Sequence, residues 1–293
     1  MSSVCVVIPC LNAAHLVGRQ LAALTRQPSA RELKVVLVDD GSQDHLTDVV
    51  RRYEHHLDIL VVRQHRRRGT GAGRNAGARA GTSDVLLFLD ADDEVADDYV
   101  EAMTKALESS AIVSAGIDYR LLNPARVIRR TPPDQLCPVL DDGFFLPFAL
   151  GGLVGMTRGL FEEIGGFDES LPALADLDIS WRAQLAGHSI GLADTVVSVG
   201  LHDGHRSRLR RARFQARDIV PLRAKYAPHG LPAVTWRAHA SGWLRLVTGA
   251  GRATRPAGRS CLVWDLGWQT GELGSLISHR PLPRPATARP ENS

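Results

Sequence analysis

The sequence predicts an α/β protein whose core is a mostly parallel, doubly wound sheet, with a helical extension at the C-terminal end. Three observations support this fold class. Short apolar runs alternate with segments whose apolar residues recur at helical spacing, several runs end in polar residues, and the 293-residue chain is 44% hydrophobic. Parallel strands covered on both faces have such continuous apolar runs, and ligands bind at their carboxyl ends.

The alternating pattern predicts six strands and four principal helices. The strands are expected at residues 4–9, 33–38, 59–62, 85–89, 111–117 and 196–201. The helices are expected at residues 15–25, 46–53, 73–80 and 178–185, with Asp44 as the N-cap of the second helix. A change to arginine-rich and then Trp-containing sequence predicts a helical extension over residues 208–278, followed by a disordered tail over residues 279–293.

Charge and hydropathy exclude several classes of protein. The net charge of +3 is too small to indicate a nucleic-acid partner. The longest apolar stretch, residues 144–155, contains a proline and is shorter than the roughly 18 residues of a spanning helix. No secretory signal is evident, so a cytoplasmic protein is expected, with peripheral membrane contact and a homodimer left open.

The four cysteines predict reduced thiols rather than a disulfide framework. Cys5, Cys10, Cys137 and Cys261 are sparse and show no CxxC spacing. Cys5 and Cys10 fall in an apolar strand pattern, which indicates that they fill the core.

Two carboxylates, Asp90 and Asp92, follow a predicted strand and are separated by Ala91. In an extended segment residues i and i+2 point the same way, so both carboxylates can face one Mg²⁺ or Mn²⁺ ion. Such an ion stabilises charge on a departing diphosphate. Taken alone, the pattern is almost equally typical of an acidic turn before a helix.

Four motifs in a fixed order make the interpretation more specific. They are VVIPCLN at residues 6–12, VDDGS at 38–42, GAGRNAG at 71–77 and LDADD at 89–93. This series resembles the family 2 inverting glycosyltransferases, which have the GT-A fold, over residues 4 to about 207. The resemblance implies a catalytic domain over residues 1–207, with a nucleotide-sugar half (1–110) and an acceptor half (111–207).

The resemblance also implies a donor site. Asp40 is expected to accept a hydrogen bond from the nucleotide base, with Pro9 and Asn12 in the same pocket and Arg74 on the donor. Asp90, Ala91 and Asp92 are expected at the diphosphate, where the two carboxylates bind Mn²⁺ or Mg²⁺. Because a carboxylate can accept the N3 proton of a pyrimidine, a UDP- or dTDP-sugar is favoured over a GDP-sugar.

The acceptor half of the resemblance rests on GGFDE at residues 165–169 and ADLDISWR at 175–182. The family commonly reads Glu-Asp in the second motif, and its Asp is the general base, which places that role on Asp176. Ala175 stands where the family has Glu. Asp178 is also suited to N-cap the helix that follows. His202 resembles a histidine near the donor metal, although a structural role is equally consistent with its position at a strand end.

The resemblance implies a metal-dependent glycosyltransferase that moves a sugar to the hydroxyl of a glycan, a lipid-linked glycan or a small natural product. A sugar nucleotidyltransferase and a catalytically silent sugar-nucleotide binder are the alternatives. The nucleotidyltransferase would carry a basic, Gly-rich loop after the first strand, where this chain has residues 9–12.

Two features of the C-terminal extension leave alternatives open. The arginine run at residues 206–217 is expected to be either a solvated helix face or a basic flap over phosphate groups. Four tryptophans are expected to pack in a core rather than to form an acceptor platform or dimer surface: Trp236, Trp243, Trp264 and Trp268.

Overall fold

The computed structural model describes residues 2–129, 139–140, 145–201 and 204–278. Cys137, His202 and the predicted tail at 279–293 lie outside these residues. The described residues form ten strands: β1 (Val4–Cys10), β2 (Lys34–Asp39), β3 (Asp58–Arg63), β4 (Val85–Phe88), β5 (Glu94–Val95), β6 (Ile112–Asp118), β7 (Val139–Leu140), β8 (Phe148–Ala149), β9 (Val154–Thr157) and β10 (Ile190–Ser198).

The helices alternate with the strands in the first half of the chain and follow them in the second. The α-helices of the described residues are α1 (Ala14–Thr25), α2 (Leu46–Val50), α3 (Thr70–Ala80), α4 (Tyr99–Leu107), α5 (Ala125–Ile128), α6 (Arg158–Glu163), α7 (Ala175–Leu185), α8 (His205–Tyr226), α9 (Trp236–Thr248) and α10 (Pro256–Ser278).

Eight of the strands form one mixed sheet in the order β3-β2-β1-β4-β9-β6-β10-β5, while β7 and β8 pair separately. Strands β3, β2, β1 and β4 are parallel, as are β6 and β10. The short strand β9 runs antiparallel between β4 and β6, and β5 is antiparallel to β10. The predicted α/β class and its mostly parallel sheet are confirmed.

Strand β1 shows why the sheet has a core on each face. Its residues alternate between two apolar clusters, with Val6 and Ile8 in one and Cys5 and Val7 in the other. Successive side chains of a strand point to opposite faces, so a continuous apolar run fits a sheet covered on both sides. Cys5 and Cys10 are buried as predicted, and burial raises the pKa of the Cys10 thiol to about 12.

Three local predictions were wrong. Asp44 does not cap α2; its carboxylate accepts a hydrogen bond of 2.7 Å from the backbone N–H of Ala14, the first residue of α1. Asp178 does not cap α7, because its fully buried carboxylate pairs with Arg182. The last strand begins at residue 190 rather than 196, and its side chains alternate between buried and exposed because it lies near the sheet edge.

The helical C-terminal extension is present, and its first helix joins it to the sheet. Helix α8 crosses the predicted boundary at 207 without a break, and five arginines of the run at 206–217 are exposed on it. An apolar cluster packs Ile219 and Tyr226 of α8 against Trp181 of α7. Among the described residues, no helix is both long and apolar enough to cross a membrane.

Candidate functional site

The loops after β1 and β2 are tied together at the carboxyl edge of the sheet. The backbone N–H of Asn12 donates to Ser42 Oγ at 2.9 Å, and Asn12 Oδ1 accepts from the N–H of Gln43 at 2.9 Å. Asn12 has a φ of 51°, in the left-handed region where Asn is better tolerated than most residues. Its side chain is therefore held in place at an exposed position next to the end of β2.

Asp40 organises a second loop at this edge. Its two carboxylate oxygens accept hydrogen bonds from the backbone N–H groups of Arg68 (2.7 Å) and Gly69 (2.9 Å). The residue is 4% exposed. Gly69 has a φ of 91°, so this loop makes a sharp turn directly before α3. Asp40 thus fixes the start of α3 from a buried position at the end of β2.

Helix α3 carries Arg74 into a buried position beside the strand ends. The guanidinium donates to Asp90 Oδ1 at 2.8 Å and lies over the ring of Phe167, with 5.3 Å from Cζ to the ring centroid. Arg74 is 5% exposed, and its Nε has no hydrogen-bond partner among the described residues. A buried guanidinium N–H without a partner is costly, so this atom is a ready donor to an anionic ligand.

Pro9 lies against the helix that carries Arg74. A Cβ on Gly73, the residue before Arg74, would be only 3.1 Å from the Cβ of Pro9. Glycine at position 73 therefore allows α3 to approach the end of β1. This contact brings the predicted donor residues after β1 next to those on α3.

A pair of glycines, Gly151 and Gly152, forms the floor between Arg74, Asp90 and Asp176. A Cβ on Gly151 would meet an Nη of Arg74, and a Cβ on Gly152 would lie 2.6 Å from Asp90 Oδ2. This pair was not predicted from the sequence, because glycine has no functional group to mark it. Its signal was a Gly-Gly step inside the longest apolar stretch.

Asp176 reaches the same place from the first turn of α7. Its Oδ2 accepts from the backbone N–H of Gly151 at 3.3 Å, and its Oδ1 accepts from the N–H of Leu177 at 3.0 Å. Burial raises the pKa of Asp176, and the positive charge of Arg74 opposes that shift. A carboxylate with a raised pKa is a better proton acceptor near neutral pH than an ordinary aspartate.

Ala175, which departs from the family pattern, is buried between α7 and α3. It is 5% exposed, and its Cβ lies 3.4 Å from the position that a Cβ on Gly71 would take. A glutamate at residue 175 would bring a carboxylate into this close apolar contact. The small residue is therefore consistent with the packing of the two helices.

The acidic segment after β4 has the chemistry of a divalent cation site. Asp90 is half-exposed and Asp93 is 4% exposed. Burial raises the pKa of Asp93 to about 8, with a further contribution from the negative charges of Asp90 and Asp92. Crowded carboxylates of this kind are stabilised by a bound cation, so Asp90 and Asp92 fit one.

The number of side chains that could hold a cation at this site is small. Within the described residues, no group of three or more Asp, Glu, His or Cys side chains converges as a metal cage. Two carboxylates plus phosphate oxygens of the substrate are, however, the usual ligands of Mg²⁺ in nucleotide enzymes. His202, the third predicted ligand, lies outside the described residues.

A buried ionic network holds α7 in place and was not predicted from the sequence. Asp178 is paired with Arg182 (2.7 Å) and Lys225 (2.5 Å), and Tyr226 donates its hydroxyl to Asp178 Oδ1 at 2.8 Å. Arg182 also donates to the backbone oxygen of Gly166 at 2.6 Å. The network fixes α7, which carries Asp176, to the GGFDE segment and to α8.

The structure thus brings the predicted residues into two adjoining groups. Asn12 and Asp40 lie at the ends of β1 and β2, and Arg74, Asp90 and Asp176 meet around the glycine pair. Pro9 lies between the groups. Ala91 is buried beside Asp90, and the backbone oxygen of Asp92 accepts a hydrogen bond from Arg19 at 2.7 Å.

Known structures share this arrangement of sheet and helices, which is the GT-A fold. The mannosyltransferase PcManGT from Pyrobaculum calidifontis, solved in complex with GDP-Man and Mn²⁺, matches with a TM-score of 0.68 and 21% identity over 95% of this chain and 88% of that one. Residues 1–349 of S. aureus TarS, solved in complex with UDP-GlcNAc, match with a TM-score of 0.58 and 15% identity over 94% of this chain and 92% of that one.

The chain belongs to glycosyl transferase family 2, whose model matches residues 5–165. The validoxylamine A glucosyltransferase of Streptomyces hygroscopicus subsp. jinggangensis is 30% identical over 232 residues, covering 68% of this chain and 55% of that protein. The pre-mycofactocin glycosyltransferase of Mycobacterium tuberculosis is 27% identical over 267 residues, covering 85% of this chain and 53% of that protein. The chain spans about half the length of these curated relatives.

Proposed function

We propose that this protein is an inverting glycosyltransferase that moves a sugar from a nucleoside-diphosphate donor to an acceptor hydroxyl. The observation that supports this most strongly is the meeting of Arg74, Asp90 and Asp176 around Gly151. A cationic donor group, a carboxylate suited to a metal and a carboxylate of raised pKa are the three groups that such a transfer needs.

The reaction is a single displacement. Asp176 accepts the proton of the acceptor hydroxyl as its oxygen bonds to the anomeric carbon, and the bond from that carbon to the diphosphate breaks on the opposite face. The nucleoside diphosphate leaves with the bonding electrons, so the anomeric configuration inverts. Gly151 N–H and Leu177 N–H orient the carboxylate of Asp176, and burial raises its pKa, which makes it a stronger proton acceptor.

Arg74 and the acidic segment serve the leaving group. The buried Nε–H of Arg74 has no partner among the described residues and would donate to a diphosphate oxygen, and the bond from Arg74 to Asp90 fixes the plane of the guanidinium. A Mn²⁺ or Mg²⁺ ion held by Asp90 and Asp92 would supply positive charge to the departing diphosphate. We place the base of a UDP- or dTDP-sugar near Asn12 and Asp40.

Calorimetric titration of UDP, dTDP and GDP, with Mn²⁺ and with EDTA, tests the donor site. One nucleotide should bind only with metal, and the Asp90→Ala/Asp92→Ala double variant should bind it at least about tenfold more weakly, since two of the metal's ligands are gone. The matched control is Asp48→Ala/Asp58→Ala, which removes two exposed carboxylates elsewhere. Absence of binding for all three nucleotides would contradict the proposal.

The alternatives give different products. A sugar nucleotidyltransferase would release pyrophosphate from a nucleoside triphosphate and a sugar phosphate, whereas a transferase releases a nucleoside diphosphate. A silent binder would bind nucleotide without releasing sugar to water or to any acceptor. Chromatography of the nucleotide products from each donor mixture separates the three.

A further inference from the structure

Helix α9 exposes an apolar face that none of the described residues cover. Trp236, Leu244 and Val247 are 58%, 65% and 66% exposed, so the prediction that Trp236 packs in a core was wrong. Their spacing places them on one side of the helix, because residues separated by eight and eleven positions fall within about a quarter turn at 3.6 residues per turn. Ala240 lies between them and is also exposed. The face is therefore continuous along the helix.

The opposite side of α9 anchors the helix to the rest of the protein. His239 and Gly242 are buried there. His239 Nδ1 lies 2.6 Å from Glu272 of α10, and its Nε2 accepts a hydrogen bond from Trp243 at 3.0 Å. Because this side is fixed, the apolar face cannot turn inward without breaking these contacts. Its exposure is a property of the folded extension.

The charge of α9 and its flanking sequence indicates what covers the face, since the neighbouring carboxylates Asp265 and Glu272 of α10 are paired with Arg252 and His239. No Asp or Glu occurs between Asp218 and Asp265, a stretch that contains seven basic residues. They are Arg223, Lys225, Arg237, Arg245, Arg252, Arg255 and Arg259.

Most of these cations are available at the surface. Arg237, Arg245 and Arg255 are exposed and form no ion pair with any residue that the structure describes. Arg252 is paired with Asp265 at 3.3 Å. A second copy of this chain or an average protein surface would bring both signs of charge. A partner with an apolar interior and a uniformly negative outer layer fits this face better.

We propose that α9 and residues 249–259 form a peripheral docking surface for an anionic lipid bilayer. Trp236, Leu244 and Val247 insert among the upper acyl chains while the arginines remain at the level of the lipid phosphates, as in other interfacial helices. Helix α8 carries Lys225 and Tyr226, which contact Asp178 next to the candidate base Asp176, so the bound bilayer lies on the extension joined to the acceptor half. The inference does not depend on the proposed transfer activity.

Vesicle flotation with the full chain tests the proposal. The protein should float with phosphatidylcholine vesicles that contain phosphatidylglycerol and not with phosphatidylcholine alone. Raising the ionic strength from about 0.1 M to about 0.5 M should weaken binding, because the Debye length shortens. The Leu244→Ser/Val247→Ser variant should partition at least about tenfold less, since two apolar side chains lose their transfer from water.

Matched variants separate this surface from a general loss of structure. Leu192→Thr removes an equally exposed apolar side chain (63%) on β10 and should float like the wild type. Arg237→Glu/Arg255→Glu should abolish the preference for anionic vesicles while leaving circular dichroism and nucleotide binding unchanged.

Three results would overturn the proposal. They are no flotation of the wild type with anionic vesicles, equal flotation of the Leu244→Ser/Val247→Ser variant, and a wild-type dimer that this variant converts to monomer without any flotation. The last would assign the face to contact between copies of the chain. All are measured without donor or acceptor, so failure of the transfer reaction would leave them unaffected.

Discussion

At the residue scale, the raised pKa of Asp176 predicts how turnover depends on pH. Its raised pKa means that the carboxylate gains a proton, and would cease to act as the proposed base, at a higher pH than an ordinary aspartate of pKa about 4. We expect turnover at saturating donor to fall on the acid side with a midpoint above that value. Asp176→Asn should lose about 10²- to 10⁴-fold in turnover and retain nucleotide binding. Asp194→Asn, at an exposed position, should lose neither.

A small loss of turnover in Asp176→Asn would contradict the proposed role of Asp176 as the general base. If Asp176→Asn kept more than about a tenth of wild-type turnover, a loss too small for general base catalysis, another group would have to accept the proton. A variant that lost nucleotide binding together with turnover would instead indicate a role in the donor site.

The raised pKa of Asp218 predicts how the stability of the protein depends on pH. Burial raises its pKa to about 6, although it accepts backbone hydrogen bonds from Ala173 (2.7 Å) and Leu174 (3.2 Å). A raised pKa means that the folded state binds the proton more tightly than the unfolded state. The stabilisation is complete below about pH 4 and is lost as the pH rises through about 6.

An Asn at residue 218 can accept the same two hydrogen bonds but cannot ionise. We therefore expect the stability of the wild type to fall relative to Asp218→Asn between about pH 4 and pH 7, by about 2 kcal/mol. Urea unfolding of both proteins across this range measures the difference. A constant difference would show that the ionised carboxylate is not disfavoured in the folded state.

At the element scale, the close packing of α10 on α8 depends on glycine. A Cβ on Gly271 would collide with the backbone oxygen of Arg213 and lie 2.9 Å from the Cβ of Ala216. Gly274, on the same helix, has nothing within 4 Å of such an atom. Gly271→Ala should destabilise the protein by about 1 to 3 kcal/mol through overpacking. Gly274→Ala should stabilise it by up to about 1 kcal/mol through helix propensity.

Equilibrium unfolding in urea measures whether each variant is less or more stable than the wild type. Because the two substitutions are chemically identical and three residues apart, any common effect on the unfolded chain cancels in their difference. Equal stabilities for the two variants would mean that α8 and α10 do not approach each other at Gly271.

The elements that could be predicted from the sequence are those with a strong period. The runs that form β1 to β4 were placed within two residues, because buried parallel strands are continuous apolar segments bounded by polar ones. Strands β5, β7 and β8 have two residues each and show no period. Only the first two residues of antiparallel β9 fall in the apolar stretch at residues 144–155, and its tertiary pairing with β4 and β6 defines the strand.

In the candidate site too, residues that belong to a sequence motif could be predicted, whereas residues placed by tertiary packing could not. Asp40, Arg74, Asp90 and Asp176 carry functional groups in ordered motifs, so they could be named from the sequence. Lys225 could not, because it approaches Asp178 only through the packing of α8 on α7. The proximity of Arg74 to Asp176 likewise depends on the turn at Gly151, a tertiary feature.

At the scale of the whole molecule, α8 determines whether the extension and the sheet are separate units. Its C-terminal half shares an apolar cluster with α7, and Lys225 and Tyr226 bond to the buried Asp178. Its N-terminal half packs on α10, where Gly267 and Gly271 allow close approach. Each end of one continuous helix therefore stabilises a different part of the fold, and loss of either part exposes apolar surface on the other.

We therefore expect the chain to unfold in one cooperative transition. Four of the five tryptophans lie in the extension, so tryptophan fluorescence reports mainly on that region, whereas nucleotide binding would report on the proposed donor site at the strand ends. The midpoints of the two signals in urea should coincide, which is the usual test of two-state behaviour. If fluorescence changed at a lower urea concentration than binding, the extension would unfold independently, and contacts across α8 would be too weak to couple it to the sheet.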